Sequence, residues 1–228
     1  MQRTKIEYLD YSWNPFQMRC DRVSEGCKNC WALEMANRFN YPQQIVLKEP
    51  SPKFPKKSAR IGVQFMGDLF HEGINEEDID DIIATACISP DHKFIFLTKR
   101  IKRARDFIDS YAWQLEDNIW LGVSVENQRT ADERIPILLS IPARVRFVSV
   151  EPMLEEIDIQ KWHGIDWVIC GCESGHNRRK CEPEWIIDLL SQCSADGIPF
   201  FLKQMEIDGK VVKMPELDGR IWNEYPKK

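Results

Sequence analysis

A chain of 228 residues, 43% of them hydrophobic, can bury one sizeable core but not two generous ones. Its net charge of −5, with acidic and basic residues interspersed, argues against a general binder of duplex nucleic acid, which carries a basic excess. No run of about twenty apolar residues is present, so no membrane span is expected, and the polar stretch Met1 to Asp10 does not read as an export signal.

Along the chain, short β-branched or aromatic runs alternate with helical patterns. A first strand is expected near Tyr11 to Asn14. Three cysteines follow within eleven residues, Cys20, Cys27 and Cys30, in a loop that opens onto a helix carrying Trp31, Met35 and Phe39 four residues apart. Pro42 to Arg60 has no clear period and reads either as a lid or as a long connection. Ile61 to Met66 is the next strand, and Asn75 can cap a helix whose apolar stripe is Ile79, Ile82, Ile83, Ala86 and Cys87. Phe94 to Leu97 then precedes a helix with a stripe of Ile101, Ala104, Ile108 and Tyr111. Strands are expected at Ile119 to Val125, Val145 to Val150 and Trp167 to Gly171. Pro183 suits the first turn of a helix with Ile186, Leu190 and Cys193 on one face, ended by Gly197 and Pro199. Phe200 to Leu202 is the last strand of the series.

Alternation of this kind predicts a parallel sheet with crossover helices. Six or seven such units point to an α/β fold, a (β/α) barrel or partial TIM-like barrel of six to eight parallel strands, as one domain over residues 1–228. An open doubly wound sheet is the alternative. The barrel is preferred because polar groups follow the strands in series: Asp68, Lys99, Glu126, Glu151, Glu173 and Lys203 would converge on one mouth. The basic runs Lys99 to Arg103 and Arg178 to Lys180 are the two local candidates for holding a nucleotide, each equally readable as solvated surface.

With eight cysteines and no export signal, the thiols are expected to be reduced and the protein cytoplasmic. Thiolates at Cys20, Cys27 and Cys30 suit an iron–sulfur cluster or zinc, and from spacing alone both stay open. Structural zinc wants four ligands, with Cys170, Cys172, Cys181 or His176 as the fourth. A [4Fe–4S] cluster on three thiolates leaves one iron open. Cys87 and Cys193 lie on apolar helix stripes and are expected in the core. Among the histidines, His71 lies just past a strand end.

The segments Ser12-Trp-Asn-Pro15, Gly26-Cys-Lys-Asn-Cys-Trp-Ala32, Met66-Gly-Asp-Leu-Phe-His71, Leu121-Gly-Val-Ser-Val-Glu-Asn127, Arg146-Phe-Val-Ser-Val-Glu-Pro152, Gly171-Cys-Glu-Ser-Gly175 and Phe201-Leu-Lys-Gln204 resemble a phage- and prophage-associated family of three-cysteine proteins of unknown function. That family is regarded as related to radical S-adenosylmethionine (SAM) enzymes and is sometimes encoded beside a three-Cys-motif partner protein. The resemblance runs nearly end to end. It implies a [4Fe–4S] cluster on Cys20, Cys27 and Cys30, with SAM on the open iron, and an external electron donor. Electron transfer through the cluster would then yield a 5′-deoxyadenosyl radical. By position, the resemblance implies Asp68 as a SAM ligand. Ser124 and Glu126 suit ribose hydroxyls, and Glu151, Glu173 and Lys203 suit SAM or substrate. Phage association implies a nucleotide or DNA as substrate. Two departures stand out: the first cysteine gap is six residues rather than three, and Asn29, not an aromatic, precedes the last cysteine. The rival readings are a zinc-stabilised, non-catalytic binding protein and a fully ligated iron–sulfur electron carrier.

Overall fold

The computed structural model describes residues 1–175 and 177–227. Strand β1 (Gln2–Arg3) runs antiparallel to β2 (Tyr11–Trp13). Beyond β2, the short strands β3 (Phe16–Gln17) and β4 (Val46–Leu47) pair with each other. Between them lie the three-cysteine loop, with a 3-10 turn at Glu25–Cys27, and helix α1 (Trp31–Arg38). The alternating series follows: β5 (Arg60–Val63), α2 (Glu76–Cys87), β6 (Lys93–Thr98), α3 (Ile101–Ser110), β7 (Ile119–Val125) and α4 (Gln128–Ser140). It continues with β8 (Val145–Val150), β9 (Trp167–Gly171), α5 (Pro183–Ala195) and β10 (Phe200–Ile207). A hairpin leads from β10 into β11 (Lys210–Lys213), and β12 (Glu216–Leu217) pairs with β13 (Arg220–Ile221) near the C-terminus.

Nine strands form one sheet in the order β1-β2-β5-β6-β7-β8-β9-β10-β11. From β2 to β10 every neighbour pair is parallel, and the two outermost pairs are antiparallel. The strand order never reverses, so there is no switch point of the doubly wound kind. Among the described residues the ladder ends at β1 on one side and β11 on the other, without a hydrogen-bonded closure between them.

The sheet is nevertheless strongly curved. The Tyr8 ring lies 6.3 Å from Phe65, just past β5, and 5.8 Å from Phe201 of β10. Those rings are therefore no more than about 12 Å apart, whereas β5 and β10 in a flat sheet would be separated by about 24 Å. The Arg60 guanidinium of β5 lies 4.2 Å over the Tyr225 ring, which in turn packs 5.4 Å from Trp167 and 5.5 Å from Phe201.

Two cores result. The larger lies between the sheet and its helices and takes in the predicted stripes of α2, α3 and α5. The smaller fills the concave face with Ile95, Trp120, Val145, Phe147, Trp167, Ile169 and Phe201, plugged by Tyr8 and Leu9 from the N-terminal segment. Buried on both faces, the strands read as continuous apolar runs, which is why β7 to β9 match their expected bounds.

Several local expectations change. Asn75 is the N-cap of α2 but makes no side-chain cap bond. Tyr111 is exposed just past α3, where Phe107 takes the core position. The Trp31–Met35–Phe39 stripe of α1 is not the core face: Ala32 and Ala36 are the buried residues, while Trp31 and Met35 line a cavity and Phe39 is 56% exposed. Pro42 to Arg60 is a largely exposed connection anchored at a few points. Phe54 stacks edge-on against Trp13 and Phe94, and Trp13 Nε1 donates to the Glu49 carbonyl. Among the described residues, no helix is long and apolar enough to cross a membrane.

Candidate functional site

The concave face is apolar towards the N-terminal ends of the strands and polar at their C-terminal ends, where a cavity of about 690 Å³ opens. Cys20, Cys27 and Cys30 line it together, delivered by the crossover that leaves β2. The opposite walls come from residues at or past the strand ends, among them Asp68, Thr98, Ser124, Ser149, Glu151, Glu173 and Lys203. Of the nine residues singled out in the sequence, only Glu126 is not on the wall, although it lies directly behind the cysteine loop.

Three of the predicted carboxylates have their oxygens already engaged. Asp68 accepts from Thr98 Oγ1 at 2.8 Å, from the backbone N–H groups of Phe70 and Lys99 at 3.0 Å each, and from Arg100 at 3.3 Å. Glu126 is fully buried, ion-paired with Lys99 and with Arg134 at 3.2 Å, and accepts from Ser24 Oγ at 2.7 Å. Burial raises its carboxyl, but the Lys99 and Arg134 charges and the Ser24 hydrogen bond outweigh this and leave it below the usual range. Glu173 accepts from Asn29 Nδ2 at 2.9 Å and from the Arg179 backbone at 2.8 Å, and is ion-paired with the Arg179 guanidinium. Burial opposes its ionisation too, and Arg179 with Asn29 holds its carboxyl low.

Each of these groups touches the cysteine loop or a residue that does. Arg100, held by Asp68, points Nη1 at Cys20 Sγ, 3.7 Å away. Burial pushes the Cys20 thiol up to about 11, and the Arg100 charge works against that rise, in favour of the thiolate. Asp21 and Glu72 also grip Arg100, and His71 pairs with Asp21. Ligand atoms of Asp21, His71 and Glu72 all lie within 4.8 Å of one another. Arg100 already supplies the cation for Asp21 and Glu72, and His71 reaches this group through Asp21.

The other wall is less committed. Lys203 Nζ lies 2.7 Å from Glu151 Oε1, and Ser149 Oγ donates to Glu151 Oε2 at 3.1 Å. Gly171 makes room for this pair: a Cβ there would stand 2.9 Å from Glu151 Oε1. Ser124 faces the cavity, and its carbonyl accepts from Arg134.

The family described as "Protein of unknown function (DUF5131)" matches residues 3–226. The chain belongs to that family. No curated protein and no solved structure matches it.

In this DUF5131 member all eight cysteines are free thiols. Cys170 packs in the helix-side core with its sulfur 3.8 Å from that of Met153, and Cys193 is buried in the same core. Cys181 is buried in its loop, and Cys172 is the one further cysteine that reaches the cavity wall. His176 lies outside the described residues. The sulfurs of Cys20, Cys27 and Cys30 do not all fall within 4.8 Å of one another. Among the described residues, only Asp21, His71 and Glu72 form such a trio of candidate ligand atoms.

The basic runs turn out to be structural. Arg100 is buried and ion-paired, Lys99 pairs with Glu126, and Arg103 donates to the carbonyls of His71 and Ile74. Arg178, Arg179 and Lys180 pair with Glu206, Glu173 and Glu182. Ser24, Asn29 and Arg100 escaped sequence reading because their roles depend on partners at least thirty residues away.

Proposed function

We propose that this protein is a radical SAM enzyme on a partial (β/α) barrel, with a [4Fe–4S] cluster on Cys20, Cys27 and Cys30 and SAM on the open iron. The observation that carries this reading is the meeting of three free thiols in one loop at the C-terminal mouth of seven consecutively ordered parallel strands, beside a cavity large enough for a cofactor. The donor set fits, because three thiolates leave one coordination position for a ligand. When bound, such a cluster supplies one-electron cleavage of the SAM sulfonium bond.

The chain's own residues bind, orient and exclude. Tyr8, Phe65 and Leu97 give the cavity an apolar floor that limits water. Ser124, Glu151 and Lys203 are the groups with capacity for SAM or substrate, since Asp68, Glu126 and Glu173 are engaged in holding the cysteine loop. A nucleotide or DNA as substrate, an external electron donor, a three-Cys-motif partner protein, and a cytoplasmic setting in phage-carrying bacteria belong to the same proposal. They rest on the family resemblance alone.

The zinc reading is less well supported. Four ligands around one zinc ion stand about 3.8 Å apart when they are sulfurs, whereas at least one pair of the loop sulfurs stands beyond 4.8 Å. A fully ligated electron carrier would need Cys172 as the fourth ligand. The test is anaerobic purification with iron, sulfide and zinc analysis, and electron paramagnetic resonance with and without SAM. About four irons per chain and a spectrum altered by SAM are expected. Alanine at Cys20, Cys27 or Cys30 should abolish iron binding, and Cys172→Ala should keep it. One zinc, no iron and no response to SAM would overturn the proposal.

A further inference from the structure

We propose that Ser24 and Asn29, with the carboxylates that hold them, are positioning residues that make the cysteine loop selective for a polynuclear cluster over a single zinc ion. This rests on the cluster reading above. The loop is pinned between its ligands. Ser24 Oγ donates to Glu126 Oε1 at 2.7 Å, and Asn29 Nδ2 donates to Glu173 Oε2 and to the Asn177 carbonyl at 2.9 Å each. Gly26 lies so close to Glu126 that a Cβ would overlap it.

Neither anchor can follow the loop if it moves. Glu126 is locked between Lys99 and Arg134 inside the protein, and Glu173 is locked by both the side chain and the backbone of Arg179. They stand past the ends of β7 and β9, with β8 between them, so the two anchor points are about 10 Å apart. Cys20, at the start of the loop, is held separately by Arg100. Gathering three sulfurs onto one zinc ion requires spacings of about 3.8 Å. At least one sulfur pair of the trio stands beyond 4.8 Å, so gathering all three onto one zinc ion has to move the loop against these anchors. A cluster takes each thiolate on a different iron and so asks for less closing of the loop. Outer-shell partners of this kind commonly shift metal affinity.

The experiment offers chelator-stripped protein ferrous iron with sulfide and equimolar zinc under anaerobic conditions, and reads bound iron and zinc by elemental analysis. Wild type should take iron in preference to zinc. The Ser24→Ala/Asn29→Ala variant, with an unchanged melting temperature, should show a zinc-to-iron ratio raised by about tenfold or more. Asn29→Asp, which sets a second carboxylate against Glu173 without changing side-chain size, should move the ratio the same way and serves if the double variant does not fold. Iron in wild type with an unchanged ratio in the folded variants overturns the proposal and leaves the cluster reading standing. Zinc without iron in wild type overturns both.

Discussion

Gly26 is where the cysteine loop comes closest to the sheet. A methyl group there would sit 2.7 Å from Glu126 Cδ and nearer still to Cγ, and the Glu126 carboxylate is held by Lys99, Arg134 and Ser24. Gly26→Ala should therefore cost about 1–3 kcal/mol by overpacking. Urea denaturation of the metal-free protein checks this, and an unchanged midpoint would mean the loop yields freely. Glu126 also makes stability depend on pH. Its carboxyl is lowered in the folded state, so its contribution is complete above the unfolded value of about 4.3 and is lost as pH falls through the lower folded value. Wild type should lose stability more steeply than Glu126→Gln on acidification below about pH 4.3. Superimposable profiles would show that other carboxylates carry the acid response.

At the scale of elements, α4 begins with a full capping box. Thr130 N donates to Asn127 Oδ1 at 2.9 Å, and the Thr130 hydroxyl returns to the Asn127 backbone. Asn127→Ala should cost about 1 kcal/mol, read as a shift in thermal midpoint. A shift within error would mean that packing of Ala131, Ile135 and Leu138 alone holds the helix. Sequence reading passed over α4 because Pro136 interrupts its pattern. The regular Trp31, Met35 and Phe39 spacing of α1 is not its buried face, because the helix sits on its small residues Ala32 and Ala36. That close approach turns Trp31 and Met35 towards the cavity and leaves Phe39 exposed.

At the scale of the molecule, Trp167 joins the two ends of the chain to the concave face. Its ring meets Tyr8, Trp120, Phe147, Phe201 and Tyr225, and its Nε1 donates to the Glu224 carbonyl at 2.9 Å. Trp167→Ala should cost about 3–5 kcal/mol. Because this plug holds the sheet's curvature, the substitution should also lower metal uptake at the mouth. Loss of stability with full uptake would show that the mouth is organised independently of the plug.

From the sequence alone came the parallel α/β class, five of the seven parallel strands within one residue of their observed bounds, and the three-cysteine loop with most of its surrounding residues. These are written locally, as hydrophobic runs, turn residues and cysteine spacing. β5 stops three residues short of its expected end, and β10 runs five residues past its own because β11 folds back onto it, a pairing that a local apolar run does not encode. Only the tertiary structure decided which carboxylates hold the cysteine loop. Asp68, Glu126 and Glu173 look alike in the sequence to Glu151. They differ because Arg100, Lys99, Arg134 and Arg179 reach them and Lys203 reaches Glu151, and charge pairing across a curved sheet is set by geometry that no sequence interval records.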